Sequence, residues 1–265
     1  MSKRSRVKRK QKQKRRTNMV KKGRMYSGNL PPGFTVKLAA NFGTEEPFVA
    51  RVWIQTKDIL DRMVVQDKDE ALFRFDRVIE QLTTARIHLT KIEDKNFKEL
   101  PTFDQQAEYV AFYNAIWYAY KDRFQLFMRE LGFDVGFMFQ TDKEFEKGAA
   151  KFLKDHPDAE VFIKNARRDR TDWQNALAIH RNNLHTGDRR SQPHDMDNPI
   201  DARITFDNIW QAIEENFVYL GNEIMEEGWT IAHVPEKDRD KTIPKRFIPY
   251  LKGLLDGTIK LPGTQ

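Results

Sequence analysis

Between residues 102 and 131 apolar side chains recur at alternating intervals of three and four: Val110, Tyr113, Trp117, Tyr120, Phe124, Phe127 and Leu131. That spacing follows the 3.6-residue turn of an α-helix and gathers all seven on one face, which must be buried. The pattern returns over residues 69–91, where Leu72, Phe75, Ile79, Leu82 and Leu89 form a stripe broken by Arg86. It returns again in Phe206, Ile209, Ile213, Phe217, Leu220 and Ile224. Shorter helices are expected over 142–154, over 159–168 with Val161 and Phe162 turned inward, and around Trp173, Leu177, Leu184 and His185. Each stripe can be buried only against another helix, so the expectation is a mainly α fold, a bundle of long amphipathic helices.

Start and stop signals divide these runs. Thr102 is a candidate N-cap with Gln105 at the capping-box position, and Gly132 ends that helix. Thr171 or Asp172 is expected to cap the helix that ends at Gly187, and Thr205 to open the last long helix, with a stop at Gly228. Residues 26–34 (YSGNLPPGF) carry two prolines and two glycines and stop any helix. The stretch 34–42 alternates partially and reads either as a short strand or as a segment laid over the core. The division is a basic tail over 1–24, a connector and N-terminal segment over 25–67, the bundle over 68–228 and a small helical appendage over 229–265.

Charge is unevenly distributed. Residues 1–24 hold 13 of the 46 Lys and Arg and none of the 39 acids, which leaves a net charge of −6 on the rest of a chain whose total is +7. A polycation with few apolar residues to bury is expected to be disordered, and Lys8, Arg9, Lys10, Lys14, Arg15 and Arg16 are its candidate nucleic-acid contacts, acting through phosphate and counterion release. A solubilising arm has the same composition. There is no cysteine, which removes disulfides, thiolate zinc sites, iron–sulfur clusters and a cysteine nucleophile together. No stretch reaches the apolar length of a membrane span, and the expected location is cytoplasmic, with no membrane partner.

One segment stands out chemically. Residues 179–187 (IHRNNLHTG) place two histidines, an arginine and two asparagines at the end of a helix. Arg181 and His185 are one turn apart on one face, with Cβ atoms roughly 6 Å apart. An imidazole able to move a 2′-hydroxyl proton beside a guanidinium able to hold a phosphate is a unit that cleaves RNA without a metal. The same two residues can also serve as a helix-end pair bonded to carbonyls and acids.

On these residues the chain resembles the HEPN superfamily. The resemblance covers roughly residues 68–227, and its specific part is the segment 179–187 followed by 204–209 (ITFDNI) and a final helix. The family's motif is arginine, a polar residue, three further residues and histidine. Arg181 and Asn182 match its first two positions, while His185 arrives one residue early; counting back from His185 sets His180 in the arginine's place. The resemblance implies a metal-independent endoribonuclease in a stress or phage-defence setting, with Arg181 on phosphate, Asn182 orienting the pair and His185 as general acid and base. It also implies a homodimer whose motifs face one cleft and, further off, a nucleotidyltransferase-type antitoxin as partner. The superfamily includes non-catalytic members as well, so the second expectation is an interaction or scaffold protein tethered to nucleic acid by its tail.

Neither a metal nor another cofactor is expected. His180 and His185 at a spacing of five face different sides of a helix, which works against a site shared with His194, Asp188 and Asp195. The aromatic series Tyr109, Phe112, Tyr113, Trp117, Tyr118, Tyr120, Phe124 and Phe127 reads first as core and second as a base-stacking surface. Tyr118 lies off the main stripe.

Overall fold

The computed structural model of the chain describes residues 36–40, 48–186 and 201–234. Its architecture is mainly α. Strand β1 (Val36–Ala40) is followed by α1 (Phe48–Leu60), α2 (Lys68–Ile92), α3 (Thr102–Tyr118), α4 (Gln125–Glu130), α5 (Asp142–Asp155), α6 (Glu160–Asp169), α7 (Asn175–Thr186), α8 (Ala202–Asn222) and β2 (Trp229–His233). A π-helical turn, Ala119–Phe124, joins α3 to α4, and a second, Arg170–Gln174, joins α6 to α7, so each pair runs as one rod.

The long stripes pack as their period requires. Phe75 of α2, Phe127 of α4 and Phe217 of α8 are each fully buried. Their ring centroids lie 4.9 Å (Phe75–Phe127), 5.6 Å (Phe127–Phe217) and 6.4 Å (Phe75–Phe217) apart. Asp67 caps α2 by accepting from the Glu70 N–H at 2.9 Å, and Asp201 caps α8 by accepting from the Ile204 N–H at 2.8 Å. Arg203 at the start of α8 donates to both carboxylate oxygens of Glu93 at the end of α2, at 2.7 and 2.6 Å. Gly132 ends the α4 rod at φ 100°, a left-handed conformation that side-chain-bearing residues avoid.

Several local expectations are corrected. Thr102 is the first helical residue rather than the cap; Pro101 precedes it, and the Gln105 amide donates to the carbonyls of Leu100 and Lys98. Neither Thr171 nor Asp172 starts a helix, because the chain passes through Arg170–Gln174 without a break. Val161 is half exposed, whereas Phe162 beside it is fully buried. The last helix opens at Ala202, three residues before Thr205, and closes at Asn222; Gly228, at φ 85°, instead turns the chain into β2. That strand lies where helix was expected, and residues 235–265 fall outside the described ones.

Helix α1 lies within the expected connector and N-terminal segment; its Val52, Thr56, Ile59 and Leu60 stand at helical spacing and are buried. The first alternative for residues 34–42 holds: Val36–Ala40 is a strand and pairs parallel with Trp229–His233, Val36 opposite Trp229 and Ala40 opposite His233.

Two stability predictions arise here. Asp76 of α2 accepts a hydrogen bond from the Trp53 indole of α1, and burial pushes its pKa up to about 6 from an ordinary 3.8. The folded chain therefore binds this proton more tightly than the unfolded chain. Stability at this site is highest below pH 4, falls between about pH 4 and 6, and stays reduced above that. Discounted for solvent screening, Asp76→Asn should add about 1 kcal/mol of stability at pH 7 and nothing at pH 3.5 in urea unfolding. An equal gain at both pH values would assign the effect to packing instead.

Gly148 of α5 leaves room for Phe137, since a Cβ there would meet the Phe137 Cβ at 2.3 Å and its Cγ at 2.8 Å. Overpacking of this kind costs about 1–3 kcal/mol, against up to about 1 kcal/mol of helix propensity regained. Gly148→Ala should accordingly lower the thermal midpoint; a raised midpoint would show that Phe137 yields freely.

Candidate functional site

The segment singled out by the sequence forms the end of α7, packed against α3. Leu177 and His180 face inward: His180 is 7 % exposed, and its ring meets Tyr113 of α3 edge to face with centroids 4.6 Å apart. Burial raises the Tyr113 pKa beyond its ordinary range, which keeps the hydroxyl protonated beside that ring. Arg181, one residue on, is half-buried. Its Nε–H donates to Asn114 Oδ1 of α3 at 3.3 Å and one terminal nitrogen donates to Asn182 Oδ1 at 3.3 Å. Asn182 is exposed. His185 lies on α7 one turn beyond Arg181, but its side chain falls outside the described ones, as do Lys8, Arg9, Lys10, Lys14, Arg15 and Arg16 of the tail.

The partners of Arg181 differ in kind from those of four other arginines. Arg167 pairs with Glu146, Arg168 with Asp169 and Glu215, Arg170 with Asp142, and Arg203 with Glu93. Among the described residues Arg181 is held by two neutral amide oxygens and by no carboxylate. Among the described residues its guanidinium is thus oriented without being neutralised, which suits a cation that meets an external anion.

A second concentration of polar groups sits where the two π-turns meet. Tyr120 of the first and Trp173 of the second lie 5.6 Å apart between ring centroids. Buried Asp169 accepts from the Arg168 guanidinium at 2.9 Å and from the Trp173 indole N–H, and burial holds its pKa above the usual carboxylate range despite the arginine. Arg168 continues to Glu215 of α8 at 3.1 Å. Burial also raises the pKa of the fully enclosed Tyr120, which neighbours Asn216 of α8. An open cleft lies outside this cluster, lined by Arg168, Asp169, Asp172 and Trp173 on one side and Asn208 and Gln211 on the other.

Searched against known proteins, the chain matches no family model, no curated protein and no solved structure. The site therefore rests on its own residues.

Of the four residues read from the sequence, the structure brings Arg181 and Asn182 into contact and adds Asn114 from α3, which no spacing in the sequence could reveal because it lies 67 residues away. It turns His180 into the core, against an arginine-like role on phosphate. No group of three His, Asp or Glu side chains poised for a metal occurs among the described residues. The Asp169 cluster was missed. Its one sequence signal was the apolar stripe's failure to continue from α6 to α7 in register, which a π-turn accommodates by inserting a residue.

Arg170 and Gln174 both reach the Met138 carbonyl at 2.7 Å, which anchors the second π-turn.

Proposed function

We propose that this chain is an HEPN-like helical-bundle protein that acts on RNA as a metal-independent endoribonuclease in a stress or phage-defence setting. The observation that carries the reading is Arg181, a half-buried cation oriented by Asn114 and Asn182 and left without a carboxylate among the described residues. In the proposed reaction the His185 imidazole takes the 2′-hydroxyl proton, and the 2′-oxygen attacks the adjacent phosphorus. The 5′-oxygen leaves with a proton returned by an imidazolium. Arg181 holds the phosphate as charge builds on its non-bridging oxygens. The products are a cyclic phosphate and a 5′-hydroxyl. A homodimer would supply two such histidines to one cleft, and a nucleotidyltransferase-type antitoxin would be the partner that restrains it.

The second reading is a non-catalytic interaction protein tethered to nucleic acid by residues 1–24. The seating of His180 against Tyr113 favours it, because one of the segment's two histidines is then committed to packing.

Incubating the purified protein with total RNA and end-labelled tRNA in EDTA separates the two. Cleavage that disappears in both Arg181→Ala and His185→Ala is expected from the enzyme. Equal inactivity of all three proteins would leave the tethering reading.

A further inference from the structure

The cleft between the α6–α7 rod and α8 carries an excess of negative charge. Asp169 and Asp172 line it, Glu215 stands behind it, and the one cation among them, Arg168, is already shared between Asp169 and Glu215. Trp173 is fixed there by its indole N–H on Asp169 and by Tyr120 behind it. Asn208 and Gln211 add amide oxygens from the facing helix. An indole flanked by carboxylates and amide oxygens complements a guanidinium or ammonium group on an apolar stem, through cation–π contact, ion pairing and hydrogen bonds together. A phosphate placed in the same cleft would meet two carboxylates and one guanidinium that is already paired with Asp169 and Glu215.

We propose that this cleft docks an arginine or lysine side chain from the chain's own residues 1–24. Those residues hold 13 basic groups and no acid, while the remainder of the chain is net acidic, so the charges are complementary. The geometry of the chain allows the contact. β1 ends at Ala40 opposite His233, and the His233 ring lies 2.9 Å from Glu214 on α8, one turn from Gln211. β1 begins at Val36, and the twelve residues back to Arg24 span up to about 40 Å when extended. Docking would mask part of the tail's charge, and a nucleic acid that competes for the tail would expose the cleft. This consequence does not depend on whether the chain cleaves RNA.

The test couples lysine amines to carboxylates with a zero-length carbodiimide in the full-length chain, using a mixture of unlabelled and 15N-labelled protein to separate bonds within a chain from bonds between chains. Expected are within-chain bonds from the tail lysines to Asp172, enriched over those to the exposed Asp142 and Glu144. Added RNA should reduce them severalfold, and so should Gln211→Lys, an exposed change that places a like charge in the cleft. Bonds spread evenly over Asp142, Glu144 and Asp172, bonds only between chains, or bonds indifferent to Gln211→Lys would each overturn the proposal.

Discussion

Phe217→Ala should lower the free energy of unfolding by about 3–5 kcal/mol, the range for removing a buried phenyl ring and leaving a cavity. Phe217 is fully buried and touches rings from two other helices, Phe75 of α2 and Phe127 of α4. The partners cannot close the gap by a small shift, because both are themselves fixed: Phe127 also packs against Phe124 at the π-turn, and α2 is tied to α8 through the two Arg203–Glu93 bonds. Folded domains are stable by only about 5–15 kcal/mol, so this one ring carries a large share of the total. The exposed Phe103 is the control: with 79 % of its surface in water, its change to alanine should stay within about 0.5 kcal/mol. Urea unfolding of the two variants checks both values. A loss below about 1 kcal/mol for Phe217→Ala would mean that α2, α4 and α8 do not meet at this point.

The same three rings show why the bundle was legible in the sequence. A stripe with period 3.6 has one physical solution, burial against another stripe, and Phe75, Phe127 and Phe217 each lie on such a stripe. What local pattern could not show is how a rod stays helical across a register change. The run from Glu160 to Thr186 looked like two helices with a cap at Thr171 or Asp172, because the apolar positions slip between Ala166 and Trp173. A π-turn absorbs that slip without a cap, and its stabilising contact, two side chains on the Met138 carbonyl, comes from more than thirty residues away. β2 was hidden for a related reason: a short element is stabilised by its partner, and its pairing with a strand nearly two hundred residues earlier leaves no local trace.

The candidate site divides along the same line. Arg181, Asn182 and His185 could be picked out because one helix end concentrates them. The role of Asn114 could not, since it depends on α7 lying against α3. The negative cleft was invisible because Asp169 and Asp172 alternate with Arg168 and Arg170 in sequence, and only the fold shows that Arg170 turns away to Asp142 while the carboxylates remain.

On the proposed ribonuclease reading, Arg181→Ala should reduce RNA cleavage in EDTA by about a hundred- to a thousandfold, the loss typical of removing one group that stabilises charge in a transition state. Arg181→Lys should restore little of it. A lysine keeps the charge, but it lacks the Nε–H that Asn114 accepts and the second arm that bonds Asn182, so an ammonium there is free to move away from the phosphate. Asn114→Ala isolates that positioning effect: the cation stays and only its orientation is relaxed, so the loss should be smaller than for Arg181→Ala and should fall on kcat more than on KM, because a misaimed cation still attracts the substrate. Steady-state kinetics on one labelled RNA measures all three. Equal activity of Arg181→Lys and the wild type would reduce the residue to a general electrostatic attraction. Unchanged activity in Arg181→Ala would move the phosphate site away from α7 altogether.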